Sequence, residues 1–353
     1  MHEERSFDII FLFQSQKGEG IVKRAGIIFF LFVILITVVF QISYLMGPVD
    51  RNAERFVSLR VKPGTTSREL GEILENLGLI RSKSLYNVVM ALTGYDSKLK
   101  AGLYDIKPSY NMMEIISLLV EGRIATYKVT IPEGFSVEEI AERLAEVTLY
   151  NKETFLQKAN LVFNKPYLQE STSNTRYLLE GFLYPDTYVI PREYKPEQIF
   201  KLMLEEFERR WWDKLQDSSL ASKYSPYEIM IIASLIEEEA KIKEEKPLVS
   251  AVIYNRLKKR MPLQIDASIQ YSLPARKERV LYSDLEVVSR YNTYRHYGLP
   301  PGPICSPGDD SIEAALKPAE KNYLFYFALE DGSHKFSRTY HEHIKLQQEL
   351  KGN

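Results

Sequence analysis

Three consecutive carboxylates, Glu237, Glu238 and Glu239, close the stretch Ser225-Pro-Tyr-Glu-Ile-Met-Ile-Ile-Ala-Ser-Leu-Ile-Glu-Glu-Glu-Ala-Lys241, which is free of charge from Ile229 to Ile236. A carboxyl group at the edge of apolar surroundings loses solvation of its ionised form, so it holds its proton to higher pH. That is the property a general acid near neutral pH needs. A charge run is also the ordinary solvated end of a helix, and the pattern alone favours that plainer reading.

The element that must carry these groups reads as a deliberately started helix over 226–241. Ser225 and Glu228 have capping-box spacing, and Pro226 falls at the first helical position, where its missing N–H costs nothing. The residues from Ile229 to Ile236 are apolar nearly all round, which predicts a rod buried on most sides. On that rod Glu237 continues the stripe Met230, Ala233 and Ala240, whose two alanines leave room for a ligand. Glu239 shares a bulkier face with Ile232, Leu235 and Ile236, and Glu238 is expected to face solvent. A second helix is predicted from Pro247. Asp266 is placed to cap a short helix from Ala267. The segment 289–308 holds Gly298, Gly302, Gly308 and several prolines, so it is neither helix nor central strand. A rigid loop of that kind shapes a site. Ser311–Lys317 reads as a short helix capped near Asp309 or Asp310. Residues 323–329 and His334 onward read as a β-hairpin, and His341–Lys351 as a closing polar helix.

The chain has 353 residues, 45% hydrophobic, enough for two or three domains. A formal net charge of −1 gives no basic excess, so no nucleic-acid partner is expected. The single cysteine, Cys305, allows no intrachain disulfide. His341 and His343 are two apart and face different ways, so neither a metal site nor a cofactor is expected.

Residues 1–24 are mixed and end on the basic Lys23 and Arg24, after Lys17. Residues 25–46 then carry no charge over the roughly 20 residues a spanning helix needs. The run is too long for a signal-peptide core of about 7–15 residues, and no small-residue cleavage site follows. The basic flank predicts a single-pass anchor in the cell (inner) membrane, N-terminus in the cytoplasm and everything after Met46 outside. Beyond it a strand–turn–helix unit occurs twice, in 56–124 and in 125–211. Ser67 and Ser136 are the predicted N-caps. A second echo pairs 101–108 with 180–191, each a strand begun at Gly and ended at Pro, before helices Met112–Glu121 and Pro196–Trp211. A polar insertion, about 150–178, interrupts the second copy. The first copy resembles a LysM-type wall-binding module. The expected fold class is α+β: a transmembrane helix, a LysM-like βα module over 47–124, and a mixed α+β catalytic domain over 125–353. The last divides into a βα subdomain (125–211) and a catalytic subdomain (225–353) with the buried Glu-bearing helix and the C-terminal β-hairpin.

An anchored domain beside the cell wall directs attention to sugar chemistry. Two carboxylates flanking a glycosidic bond would make a glycosidase, about 5–5.5 Å apart for retention or about 6.5–9.5 Å for inversion. A lytic transglycosylase needs one. Its carboxylic acid protonates the glycosidic oxygen, then as carboxylate takes the proton of the sugar's own C6 hydroxyl, which closes a ring without water.

Six motifs, in order, resemble the endolytic murein transglycosylase family (MltG, YceG-like). They are Leu179-Glu-Gly-Phe-Leu-Tyr-Pro-Asp-Thr-Tyr188, Ala233-Ser-Leu-Ile-Glu-Glu-Glu-Ala240, Val252-Ile-Tyr-Asn-Arg-Leu257, Leu263-Gln-Ile-Asp266, Tyr291-Asn-Thr-Tyr294 and Gly298-Leu-Pro-Pro-Gly-Pro-Ile-Cys-Ser-Pro-Gly308. The resemblance covers about 57–345. It implies cleavage within nascent peptidoglycan strands to leave 1,6-anhydro-N-acetylmuramyl ends. It also implies a role in ending strand growth, with penicillin-binding proteins and other wall-synthesis proteins as partners. It places the catalytic acid at Glu237, with Glu239 as a supporting carboxylate. Glu238 stands where the family often has Lys, which adds a like charge. Gln264 and Asp266 are candidates to orient Glu237 or bind an N-acetyl group, Asp266 also being readable as a plain cap. Tyr291, Asn292, Thr293 and Tyr294 read as cleft-lining residues or as loop bracing. Glu180, Tyr184 and Thr187 read as facing the cleft from the other side or as docking two subdomains. The alternative to the enzyme is a non-enzymatic wall-binding scaffold for peptidoglycan synthases.

Overall fold

The computed structural model describes residues 26–161, 163–169 and 174–351, and the side chains of 350 and 351 are outside that description. The expectations for residues 1–24, including Lys17, Lys23 and Arg24, lie outside the described residues. The chain divides into two compact units that meet between Ala125 and Thr126.

The first unit opens with helix α1, Gly26–Met46, long and apolar enough to cross a membrane, with its side chains exposed from 26 to 44. The Arg81 guanidinium lies 4.0 Å from the centre of the Tyr44 ring and donates to the Tyr44 carbonyl at 2.8 Å, near the carboxyl end of α1. There a cation meets the free carbonyls and the negative end of the helix dipole. Strands β1 (Val57–Val61) and β2 (Gly102–Ile106) pair antiparallel, Leu59 opposite Tyr104. Between them run α2 (Ser67–Asn76) and α3 (Lys83–Thr93), and α4 (Met112–Glu121) follows. Leu59, Leu70, Leu74, Tyr86, Met90, Tyr104 and Ile116 form its core. The cap of α2 is Thr66 rather than the expected Ser67: the Thr66 hydroxyl accepts the Glu69 N–H, and Glu69 reaches back to the Thr66 N–H. The turn after β1 ends one residue earlier than composition suggests.

The second unit repeats the opening. Strand β3 (Thr126–Thr130) pairs antiparallel with β4 (Thr187–Pro191), Val129 opposite Tyr188. Helix α5 (Val137–Val147) carries the predicted Ser136 cap. Strand β4 does not start at Gly181: residues 179–186 fold as turns, and only Thr187 onward is extended. The insertion contributes α6 (Lys152–Lys158). Helix α7 (Pro196–Phe207) passes through a π-helical turn, Glu208–Trp212, into α8 (Asp213–Gln216).

Helix α9 (Pro226–Glu239) is the axis of this unit. Its capping box forms, the Ser225 hydroxyl accepting from Glu228 N–H and Glu228 accepting the Ser225 N–H at 2.9 Å. Every residue from Ile229 to Ile236 is buried. Around it lie α10 (Lys246–Lys258), α11 (Asp266–Ser272) and α12 (Asp309–Leu316). Strands β5 (Phe325–Ala328) and β6 (His334–Ser337) form the expected hairpin, followed by α13 (Tyr340–Lys351).

Two cap expectations fail for one reason. Asp266 is the first residue of α11 and Asp309 the first of α12, and neither side chain caps its helix. Each is recruited elsewhere: Asp266 accepts from the Tyr294 hydroxyl, and Asp309 from the Tyr184 hydroxyl and, at 2.7 Å, the Trp211 indole N–H. Tertiary donors outcompete a local cap.

Candidate active site

The end of α9 presents its three carboxylates in three directions. Glu237 is held by two donors. The backbone N–H of Gly308 reaches its Oε2 at 3.0 Å, and the Lys246 ammonium reaches the same atom at 3.2 Å. The two side chains of that ion pair are 11% and 7% exposed. Lys246 starts α10, so one helix end supplies the carboxylate and the next helix start supplies the cation.

The loop that brings Gly308 is anchored to α9 from inside the core. Ser234 accepts the Ile304 N–H, and the Cys305 thiol donates to the Ser234 carbonyl. Gly181 is in the left-handed region with φ +84°, and a side chain there would run into the Pro303 ring. Gly181 thereby lets the 302–308 loop close over the 179–186 turns.

Glu238 does not face solvent as expected. Arg276 pairs with it at 2.6 Å, leaving the Glu238 side chain 11% exposed, and burial pushes its carboxyl above the usual range while Arg276 opposes. Glu238 and Arg276 line a cleft of about 350 Å³, together with Gly134, Glu138, Arg176 and Tyr271. The solvated-end reading of the triplet therefore fails, because none of the three carboxylates is exposed.

Glu239 turns away from Glu237. Its Oε2 accepts from the Tyr326 hydroxyl at 3.0 Å, and burial pushes it up to about 7, with Asp266 nearby adding to the rise. Arg256 is buried beside this group, donating to the carbonyls of Leu263 and Leu324 and to the Gln264 side chain. Among the described residues, the Gln264 and Asp266 side chains bond to Arg256 and Tyr294 on the Glu239 side and not to Glu237, which corrects the expectation that they orient it. Gln264 holds φ +54°, an unusual backbone for a residue with a Cβ.

Of the Tyr291–Tyr294 motif, Asn292 and Thr293 are buried and brace the loop. Asn292 donates to the carbonyls of Leu285 and Val287, and Thr293 accepts the Ile265 N–H at 2.9 Å. These two side chains do not line a cleft. Tyr291 is buried against Tyr271, its hydroxyl accepting from the Arg176 N–H. Tyr294 is the member beside Asp266 and Glu239. Glu180 is buried, accepting from the Val137 N–H at 2.9 Å and from the Tyr271 hydroxyl at 2.8 Å. Burial pushes it up to about 8. It ties α5 to α11, and Tyr184 ties the 179–186 turns to α12 through Asp309. Thr187 lies in β4, its hydroxyl on Thr130.

Sequence reasoning missed Lys246 and the Gly308 N–H. Lys246 carried a signal, a cation directly ahead of a helix-starting proline. A backbone donor carries none.

This arrangement can position one carboxylate, give up a proton from it, and stabilise the charge left behind through an N–H and an ammonium. The chain matches the YceG-like family over residues 59–349. It belongs to that family. It is 33% identical to an endolytic murein transglycosylase of Bacillus subtilis over 324 residues, covering 86% of this chain and 87% of the relative. A second endolytic murein transglycosylase, from Streptococcus pneumoniae, is 30% identical over 313 residues, 80% of this chain but 56% of that longer protein. The crystal structure of a yceG-like protein from Listeria monocytogenes aligns with a TM-score of 0.57 at 31% identity, over 84% of this chain and all of that one.

Proposed function

We infer that this YceG-like protein is a membrane-anchored lytic transglycosylase that cuts within peptidoglycan glycan strands, with Glu237 as its acid and base. The observation that carries the assignment of Glu237 is its fixation by the Gly308 N–H and the Lys246 ammonium at the end of a buried helix.

The chemistry follows from one carboxyl group. Glu237 donates its proton to the oxygen of the N-acetylmuramyl-β-1,4-N-acetylglucosamine bond as the C1–O bond breaks. The C6 hydroxyl of the same N-acetylmuramic acid attacks C1, and Glu237 takes the hydroxyl proton. The products are a free 4-hydroxyl on one fragment and a 1,6-anhydro ring on the other, and no water is consumed. The hydroxyl is already tethered to the reacting carbon, so the protein has only to hold the ring in a reactive shape. Lys246 and Gly308 hold the carboxylate between the two proton transfers.

The same reading places α1 in the cell membrane with the N-terminus in the cytoplasm and everything after Met46 outside, in line with an uncharged spanning helix after Lys23 and Arg24. Residues 47–124 serve as a LysM-like wall-binding module. Cutting nascent strands would end their growth, next to penicillin-binding proteins and other wall-synthesis proteins.

The test is product analysis by mass spectrometry, with the full chain in detergent acting on purified glycan strands. Wild type is expected to release anhydro-muropeptides, and Glu237→Gln none. Products heavier by one water would make the protein a hydrolase. Strand binding without cleavage would make it a scaffold. Release of anhydro products by Glu237→Gln would remove Glu237 from its role.

A further inference from the structure

Gly308 touches a second carboxyl group. Glu133 sits in the Pro132-Glu133-Gly134 turn between β3 and α5. That turn is laced to the Gly308 loop by two backbone bonds of 2.8 Å, Gly134 N–H to the Ser306 carbonyl and Ser306 N–H to the Phe135 carbonyl. A Cβ on Gly308 would run into the Glu133 carboxyl, so that carboxyl lies directly against the residue whose N–H holds Glu237. Gly134 also packs beside α9: a Cβ there would lie 3.9 Å from Glu237 Cγ and 3.8 Å from Glu238 Oε1.

We propose that Glu133 is a positioning residue for the reaction: its carboxyl group, seated on the same glycine that holds Glu237, is the like charge that offsets the Lys246 ammonium beside the acid. This rests on the reading of Glu237 as the acid. Burial raises the Glu133 carboxyl first, the charge of Glu237 next, and Lys246 pulls it the other way. Asp309 and Asp310 of α12 also face it and add to the rise. Asp310 is paired with Lys243 at 2.6 Å, Asp309 is bonded by Tyr184 and Trp211, and the neighbouring Glu238 by Arg276. Each of those three has its own partner, whereas Lys246 faces Glu237 with Glu133 close by.

The experiment is the pH dependence of kcat/KM for anhydro-product release by the full chain in detergent. It compares wild type, Glu133→Gln, Glu133→Asp and Glu237→Gln. In Glu133→Gln the alkaline limb is expected about one unit lower, so turnover at neutral pH falls up to about tenfold while turnover at acid pH persists. Glu133→Asp restores most of the shift. An unmoved limb in Glu133→Gln overturns the proposal. So does loss of all its turnover, because a group that acts only through Glu237 leaves the acid in place. Activity surviving in Glu237→Gln overturns the underlying reading instead, and is seen in a different variant.

Discussion

Ser234 takes the Ile304 N–H on its hydroxyl oxygen at 3.1 Å, deep in the core, while donating its own proton to the Ile231 carbonyl at 2.8 Å. One small polar side chain therefore joins the Glu-bearing helix to the loop that supplies the Gly308 N–H. Ser234→Ala leaves a buried N–H without its partner, which costs about 1–3 kcal/mol. Urea unfolding should show that loss. Because the loop loosens where it holds Glu237, kcat should fall more than KM rises. A variant of wild-type stability and rate would show that the loop is held by packing alone.

Lys246 and Glu237 are a nearly buried ion pair, and breaking it by removing one member strands the other. Lys246→Met is expected to lose about 3 kcal/mol of stability at neutral pH. Much of that loss should return at acid pH, where the stranded carboxylate takes up a proton. Without the ammonium the proton is held to higher pH, so the alkaline limb of kcat/KM moves up, opposite to Glu133→Gln. Equal stability deficits at acid and neutral pH would show that the pair contributes through packing of the lysine stem.

What the sequence made legible was local. The capping box of α9, the repeated strand–turn–helix units, the β5–β6 hairpin and the uncharged run of α1 each depend on residues within one turn or one alternation. What it hid depends on partners far along the chain. Glu238 reads as solvent-facing until Arg276 folds over it. Asp266 and Asp309 read as caps until Tyr294, Tyr184 and Trp211 claim them. Asn292 and Thr293 read as cleft-lining residues or as loop bracing, and only their bonds within the fold decide for bracing. Glu133 sits in what looks like an ordinary Pro-Glu-Gly turn, and only its lacing to Ser306 brings it to Gly308.

Gly181 meets two demands at once: φ +84° and a Cβ position already filled by the Pro303 ring. Gly181→Ala adds about 1–2 kcal/mol of backbone strain and also pushes Pro303 away. Its loss of melting temperature should exceed that of Ala at Gly64, whose φ is +83° with open space around it. The difference between the two isolates the clash from the strain. If the two variants lose equally, Pro303 yields without cost and the close approach is not what keeps the glycine.

Glu180 is buried with its carboxyl pushed from 4.5 up to about 8, burial being the first cause. The folded protein therefore holds a proton that the unfolded chain releases between those values. Stability from this group is fully present below about pH 4.5, declines as pH rises, and is gone above about pH 8. Glu239, pushed up to about 7, contributes with the same sign over a narrower window. Glu180→Gln keeps a carbonyl oxygen for the Val137 N–H, turns an amide N–H toward the Tyr271 hydroxyl oxygen, and has no proton to lose. Wild type should thus lose about 3 kcal/mol or more between about pH 5 and pH 8, and the variant distinctly less. Urea unfolding followed by tryptophan fluorescence at several pH values reads this directly. Parallel slopes in the two proteins would mean that Glu180 is already ionised in the fold, its charge carried by the Val137 and Tyr271 donors.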